Sequence, residues 1–96
     1  MTVHWTSAAL RHLQAIHDYL AQDSKRYARR MVDRLTRRSQ NLADQPLIGA
    51  VAEEYENKDI REIFVKPYRL FYRVKSDQID ILAVIHAARE LPEQID

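Results

Sequence analysis

The sequence predicts an α+β domain in which an N-terminal strand and an α-helical hairpin pack on a small antiparallel β-sheet. Three observations lead to this prediction. A short strand-like stretch around Val3–Trp5 opens the chain, two segments with helical spacing of apolar residues follow, and residues 60–92 read as three strands in succession. Because 96 residues can build one hydrophobic core but not two, we expect a single domain over residues 1–96.

The helical hairpin is predicted from its capping residues and its apolar stripes. Ser7 is a suitable N-cap for the first helix, and Asp23-Ser24 ends that helix and caps the second. The first stripe contains Leu10, Leu13, Ile16 or His17, and Leu20, and the second contains Tyr27, Ala28, Met31, Val32, Leu35 and Leu42. Trp5 and Tyr19 are predicted to lie in the core.

The three later strands alternate in a way that predicts which residues share a face. If Ser76-Asp77 is a two-residue turn, Val74 faces Ile79, Tyr72 faces Ile81, and Tyr68 faces Ile85. The nearly apolar face that results is expected to lie beneath the helices. It contains Tyr68, Leu70, Tyr72, Val74, Ile79, Ile81, Ala83 and Ile85.

The opposite face of the sheet is predicted to be open and to mix cations with apolar side chains. It would contain Arg69, Phe71, Arg73, Asp80, Leu82, Val84 and His86, with Arg73 opposite Asp80. Arg61 joins this face if the first turn has three residues, Lys66-Pro67-Tyr68, whereas a two-residue turn places it with Leu70 and Tyr72. We favour the three-residue turn, because an arginine beneath the helices would need an anionic partner.

Charge is balanced overall but unevenly distributed. The formal net charge of +1 gives no overall field that points to nucleic acid or membrane. Residues 1–49 carry eight Lys/Arg and four Asp/Glu, whereas residues 50–96 carry seven and ten. Seven of the cations lie between Lys25 and Arg38, with only Asp33 opposing them. This asymmetry indicates a partner that prefers one face, although a solvated helix surface would also account for it.

The residue types present exclude several classes of chemistry. There is no cysteine, so disulfides and thiolate chemistry are excluded and a reducing cytosol is expected. His4, His12 and His17 lack metal-ligand spacing, so we expect neither a metal nor an organic cofactor. No apolar run is long enough for a membrane span, and the N-terminus does not read as a signal peptide.

Five short patterns resemble the ParE/RelE superfamily of toxins from bacterial type II toxin–antitoxin modules. They are HWTSAALRHLQAIHDYLA, LADQPLIG, DIREIFV, YRLFYRV and ILAVIHAARELP, and together they extend from Val3 to Pro92. The resemblance implies the fold already predicted from the residues. It also implies a cytoplasmic, growth-inhibiting toxin of a plasmid-stabilisation or addiction module, which forms a hetero-oligomer with a cognate antitoxin.

The resemblance covers two branches that differ in chemistry. RelE-like members cleave mRNA on the ribosome, which needs a base, an acid and cations around the phosphate, whereas ParE-like members poison DNA gyrase. Arg61 and Arg69 match superfamily arginine positions. After His86 the chain reads Ala87-Ala88-Arg89-Glu90, without the Tyr or His pair usual in RelE-like enzymes, and it resembles the His-x-x-Arg ending of ParE-like sequences.

The ending therefore favours a non-enzymatic inhibitor of DNA gyrase, and two alternatives stay open. One is a ribosome-dependent mRNA endoribonuclease that uses Arg61, Arg69 and His86. The other is a degenerate domain that only binds antitoxin. The predicted partner-binding residues are Arg61, Arg69, Phe71, Arg73, Leu82, Val84, His86 and Arg89.

These side chains also have purely structural interpretations. Arg61 and Arg69 could equally pair, as strand-surface cations, with Glu62, Asp80 or the acidic loop that contains Glu53, Glu54 and Glu56. Arg73 would then form only a cross-strand pair, and His86 would be a hydrogen-bonded imidazole at a strand end.

Overall fold

The computed structural model describes residues 1–95 and shows two helices and a five-stranded mixed sheet, which confirms the predicted α+β class. In chain order the elements are β1 (Thr2–Trp5), α1 (Ser7–Ala21), α2 (Lys25–Asn41), β2 (Ala50–Val51), β3 (Ile60–Val65), β4 (Tyr68–Val74) and β5 (Gln78–His86). The strand order across the sheet is β1-β5-β4-β3-β2. Only β1 is parallel to its neighbour, β5, and the other pairs are antiparallel.

The helices begin at side chains that accept hydrogen bonds from their first turns. Ser24 caps α2, as predicted, and its hydroxyl accepts from the Tyr27 amide at 3.1 Å. The predicted Ser7 cap of α1 is wrong by one residue. Thr6 has the extended backbone of an N-cap and accepts from the Ala9 amide at 3.2 Å, while its hydroxyl also donates to the Ile81 carbonyl at 2.8 Å. Thr6 thereby attaches the start of α1 to β5.

The first hydrophobic core lies between the helices and one face of the sheet, which we call the helix-covered face. Its buried side chains are Ala9, Met31, Leu35, Leu42, Ile63, Val65, Tyr68, Leu70, Tyr72, Ile79, Ile81 and Val84. Trp5 packs against this core, and its indole N–H donates to Ser39 at 3.2 Å. The prediction that Tyr19 is a core residue is wrong, because its side chain is 70% exposed.

The register between β4 and β5 follows the prediction up to a β-bulge. Val74 pairs with Ile79 and Tyr72 with Ile81, but Phe71 then pairs with Ala83, so that Leu82 is an extra residue in β5. Tyr68 consequently pairs with His86, and the predicted pairing of Tyr68 with Ile85 is wrong. The bulge inverts the remaining alternation, so Val84 belongs to the helix-covered core and not to the opposite face.

The prediction that the second face of the sheet is open is also wrong. A second core of Ile60, Phe71, Leu82 and Ala83 lies there, covered by Ala52 and Tyr55 from the loop before β3 and by Ile95 from the C-terminal segment. Phe71 is fully buried and Leu82 is 3% exposed. The Tyr55 hydroxyl donates to the Pro92 carbonyl at 3.0 Å, which joins the two covering segments. Two apolar faces on one sheet require two covers, and the chain supplies both.

The turn between β3 and β4 has two residues, Lys66-Pro67, because Val65 pairs with Tyr68. The favoured three-residue turn is therefore wrong. Arg61 pairs with Tyr72, and by strand alternation it points to the side of the sheet that carries Ile63 and Val65. Arg61 does not need an anionic partner there, because backbone carbonyls accept its hydrogen bonds.

The only glycine of the chain is required by close packing. A Cβ on Gly49 would lie 2.6 Å from both the Glu62 carbonyl oxygen and the Tyr72 hydroxyl. The Gly49 amide donates to that hydroxyl at 2.9 Å, and the hydroxyl donates to the Pro46 carbonyl at 2.8 Å. This contact holds the chain between α2 and β2 against the end of β4. Within residues 1–95, neither helix has the length and apolar character needed to cross a membrane.

Leu70→Ala should lower the free energy of unfolding by about 2–5 kcal/mol, because Leu70 is fully buried beneath the helices and its truncation leaves a cavity. Leu10→Ala is the matched control, since Leu10 is 52% exposed and its loss should change stability by less than about 0.5 kcal/mol. Urea denaturation of both variants measures this. Equal effects of the two substitutions would contradict the assignment of the helix-covered face.

Candidate functional site

The predicted site residues lie at three separate places in the structure. Arg61 lies beside the loop before β2, on the helix side of the sheet. Arg69 lies on the second face, over the ring of Phe71. His86 and Arg89 lie at the end of β5 and just beyond it. Because strand alternation sends Arg61 and Arg69 to opposite faces, the two guanidinium groups cannot hold one phosphate between them.

Arg69 is the centre of an ion-pair cluster that includes Glu62 and Glu54, here called the Arg69 cluster. Its Nε and one terminal nitrogen donate to the two carboxylate oxygens of Glu62 at 2.7 and 2.6 Å, a bidentate pair. The same terminal nitrogen donates to Glu54 at 3.0 and 3.1 Å. The guanidinium carbon lies 4.9 Å from the centroid of the Phe71 ring. The cluster therefore joins β3, β4 and the acidic loop above the second core.

The protonation equilibria of the cluster reflect this geometry. The hydrogen bond to Glu62 raises the pKa of the Arg69 guanidinium, and burial opposes this only in part. The pKa of Glu54 is lowered by a bond from its own backbone and then by Arg69. One cation faces two carboxylates, so the net charge of the cluster is +1 − 2 = −1. An approaching phosphate would meet negative and not positive potential here.

Arg61 has a structural environment as well. It donates to the carbonyl oxygens of Gly49 at 2.7 Å and Leu47 at 3.3 Å. These are the carbonyls of the loop whose glycine packs on Tyr72. Arg61 thus fixes the segment that leads into β2 through two hydrogen bonds from one terminal nitrogen of its guanidinium group.

The predicted pairing of Arg73 with Asp80 is confirmed as a strand register. The Asp80 carboxylate accepts from Lys75 at 2.7 Å and from Gln78 at 2.5 Å. Burial alone would raise the pKa of Asp80, but these two donors outweigh it and lower the pKa below its ordinary value. This group stabilises the second hairpin close to its turn.

His86 and Arg89 belong to an exposed surface at one end of the molecule, which we call the aromatic end. Its members are the exposed Tyr19, Tyr27, His86 and Arg89, together with the ring of the buried Tyr68. The Tyr68 and His86 rings pack edge to face with centroids 5.6 Å apart. Burial raises the pKa of Tyr68, Tyr27 and Tyr19 add to the increase, and the positive charge of Arg89 opposes it. Tyr19 is 70% and Tyr27 46% exposed.

His86 has the hydrogen bonding of a structural imidazole. Its Nδ1 accepts from the Ala88 amide at 3.1 Å, and its carbonyl accepts from the Arg89 amide at 3.0 Å, so the chain turns sharply after β5. The sequence did not reveal that Tyr19 and Tyr27 lie close to this turn. Tyr27 was predicted in the apolar stripe of the second helix and Tyr19 in the core, and both predictions are wrong because the two side chains are exposed.

His12 has a role that the sequence did not indicate. Its Nδ1 accepts from the Val84 amide at 3.2 Å. A side chain of α1 thus provides a hydrogen-bond acceptor for a backbone amide of β5 that lies beyond the residues paired with β1. Burial and then Arg11 lower the pKa of His12, which favours the neutral ring that this acceptor role requires. No three His, Asp or Glu side chains within residues 1–95 are grouped so as to hold a metal ion.

Comparisons with known proteins lead to toxins, some named after ParE and one named after RelE. The sequence model described as ParE toxin of type II toxin–antitoxin system, parDE, matches residues 3–91. The chain is 39% identical over 86 residues to Toxin RelE2 of Caulobacter vibrioides, covering 88% of this chain and 93% of that protein. It is 33% identical over 93 residues to Putative toxin Y4kP of Sinorhizobium fredii, covering 95% and 93% of the two chains.

A solved structure has the same fold. The chain superposes on a protein of the chromosomal ParDE toxin–antitoxin system from P. aeruginosa with a TM-score of 0.75 and 26% identity. The match covers 90% of this chain and 95% of that one.

Arg69→Ala should lower the free energy of unfolding by about 1–3 kcal/mol, because it leaves Glu62 without its bidentate partner and uncovers Phe71. Arg89→Ala is the control, since Arg89 is exposed and forms no ion pair with a carboxylate of residues 1–95. Urea denaturation at about pH 7 compares them. Unchanged stability of Arg69→Ala would contradict a structural role for the cluster.

The same cluster predicts a pH dependence. Because folding lowers the pKa of Glu54 below its ordinary value of 4.5, its contribution to stability is present above that pH and is lost as pH falls through the lowered value. Denaturation midpoints measured below about pH 5 should therefore fall more steeply for the wild type than for Arg69→Ala. Parallel curves would show that Glu54 does not sense Arg69 in solution.

Proposed function

Because the chain belongs to the ParE toxin family of type II toxin–antitoxin systems, we propose that it stops growth by poisoning DNA gyrase in the cytoplasm. The observation that carries this proposal is the state of its sheet arginines. Arg69 is neutralised by two carboxylates, and Arg61 lies on the opposite face with its donors on backbone carbonyls. The cations that an RNase would need are occupied elsewhere.

The requirements of RNA cleavage make this argument specific. Attack of a 2′-hydroxyl on the adjacent phosphate builds negative charge on the phosphoryl oxygens, which an enzyme stabilises with cations aimed at them. It also needs a base and an acid within hydrogen-bond reach of the two reacting oxygens. The Arg69 cluster, with its net charge of −1, does not provide the cations. The imidazole of His86 at the end of β5 could serve as either the base or the acid, but not as both.

His86 would have to act alone among the predicted residues. It is exposed, its Nδ1 is already bonded to the Ala88 amide, and no carboxylate of residues 1–95 orients its ring. A toxin that acts by binding needs none of these groups. Exposed tyrosines and an arginine, the residue types enriched in protein contacts, are what the aromatic end offers.

We expect induction without antitoxin to give filamentous cells and trapped gyrase–DNA cleavage complexes while translation initially continues. His86→Ala should leave toxicity largely intact, because no acid–base step depends on the imidazole. The measurement compares cleavage complexes and translation rate after induction of the wild type and the variant. Leu70→Ala serves as a control for toxicity lost through unfolding.

The alternative function has a clear signature. A wild-type chain that cleaves mRNA on programmed ribosomes, with cleavage reduced by the roughly hundredfold or more that loss of an acid–base group costs in His86→Ala, would be a ribonuclease. That outcome would overturn the gyrase proposal.

The antitoxin is proposed to cover the aromatic end. Among the arginines predicted to bind the partner, which are Arg61, Arg69, Arg73 and Arg89, only Arg89 is exposed and can meet an acidic antitoxin side chain. Phe71, Leu82 and Val84, the apolar residues assigned to the same contact, are buried in the two cores. A partner that reached Phe71 or Leu82 would first have to displace the loop or the C-terminal segment that covers them.

Arg89→Glu should weaken antitoxin binding by roughly tenfold, because it replaces an attraction of about 1 kcal/mol by a repulsion. Lys58→Glu is the matched control, with the same charge change at an exposed position on the acidic loop. Titration calorimetry of purified toxin variants with the antitoxin measures both. Equal weakening by the two substitutions would mean that the antitoxin does not contact Arg89, or that its affinity depends only on the net charge of the toxin.

A further inference from the structure

The exposed side of α2 carries a row of arginines that no function described above uses. Arg26, Arg30 and Arg37 follow one another at helical spacing, with Asp33 between them, and we call these four positions the basic row. Lys25, Arg29 and Arg38 flank the row. The buried residues Ala28, Met31 and Leu35 lie on the other side of the helix. The row therefore points directly away from the core.

The charges of the basic row are not neutralised within the molecule. No carboxylate of residues 1–95 lies within ion-pair distance of the row's arginines or of the three flanking cations. Arg34, also on α2, donates a hydrogen bond to the Lys66 carbonyl in the turn between β3 and β4 at 3.2 Å. With seven cations and Asp33, α2 has a net charge of +7 − 1 = +6. Three acidic residues, Glu53, Glu54 and Glu56, lie instead in the loop that covers the second face.

We propose that the basic row binds the phosphate backbone of duplex DNA. From Arg26 to Arg37 the row is about 16 Å long, at 1.5 Å per residue. One strand of duplex DNA presents a phosphate about every 3.4 Å along the axis, so the row faces roughly five phosphates. The three arginines of the row and the three flanking cations provide enough positive charges for these phosphates. Their long, flexible side chains can adjust to the spacing between phosphates.

The composition of the row favours duplex DNA over the other polyanions. A protein partner would need apolar anchors at the centre of the contact, and the row has none. Single-stranded nucleic acid is held largely by stacking on aromatic side chains, and the row has none of these either. Tyr27, the aromatic residue of α2, lies on its flank near Tyr68. A rigid straight line of cations without stacking groups matches a duplex backbone.

The binding is expected to be independent of base sequence. Contacts to phosphates position a protein on DNA without reading its bases. The proposal does not depend on gyrase as the target, but DNA held by gyrase would supply the same phosphates. Because bare DNA is the probe, failure of this proposal and failure of the gyrase proposal are separate results.

The test measures how salt changes the affinity of the full chain, freed of antitoxin, for a labelled duplex of about 30 base pairs. Neutralising about four phosphates gives a slope of log K against log salt near −3.6, or a loss of about a hundredfold between 50 and 200 mM salt. Fluorescence anisotropy provides the binding constants. Arg30→Ala with Arg37→Ala should reduce the slope by about 1.8 and weaken binding at every salt concentration.

Two variants make the result specific. Arg11→Ala with Lys58→Ala removes the same charge from exposed positions on other surfaces, and the slope should stay unchanged. Asp33→Asn removes the one acid of the row and should strengthen binding severalfold. Circular dichroism and denaturation of each variant confirm that the fold is retained, as expected for exposed positions.

Three outcomes would overturn the proposal. The first is a slope that falls equally in the Arg30/Arg37 and Arg11/Lys58 variants, which would mean that net charge alone drives binding. The second is equal or tighter binding to single-stranded oligothymidylate of the same length. The third is unchanged DNA binding by the Arg30/Arg37 variant together with weakened antitoxin binding, which would make the row a contact for an acidic protein segment.

Discussion

Burial of both faces of β4 is the constraint on which the rest of the structure depends. Leu70 and Tyr72 face the helices and Phe71 faces the other way, and all three are fully buried. A chain of this length has only one helical layer, so the second cover is made from a loop and the C-terminal segment. Such irregular segments bring few hydrogen bonds of their own. The Arg69 cluster and the bond from Tyr55 to Pro92 supply the attachments.

This constraint also decides what the sheet arginines do. Arg69 holds the acidic loop over Phe71, and Arg61 holds the loop that contains Gly49. Both arginines therefore hold loops against the sheet. Seven solvent-exposed cations lie on α2, on the side of the sheet opposite the acidic loop. The charge separation seen in the sequence thus becomes a separation between two sides of the molecule.

The fold was predictable where local signals act alone. Ser24 caps α2 through a hydrogen bond within the first turn, which does not depend on how the helix packs. The turn at Ser76-Asp77 likewise sets the β4–β5 register for the residues next to it. The bulge at Leu82 was not predictable from alternation, since β5 is apolar on both faces and an extra residue leaves no mark in such a pattern. That one residue reverses the faces of Val84 and His86, and with them part of the predicted site.

The sequence by itself determined the class, the order of the elements, the family and the basic character of α2, because each follows from local composition and spacing. Tertiary structure alone decided the partners of the arginines. Arg61 finds carbonyls and Arg69 finds Glu62 and Glu54 only because a two-residue turn, a bulge and a folded loop bring distant segments together. Charge on a side chain is a local property, but whether that charge is neutralised depends on neighbours that sequence distance does not reveal.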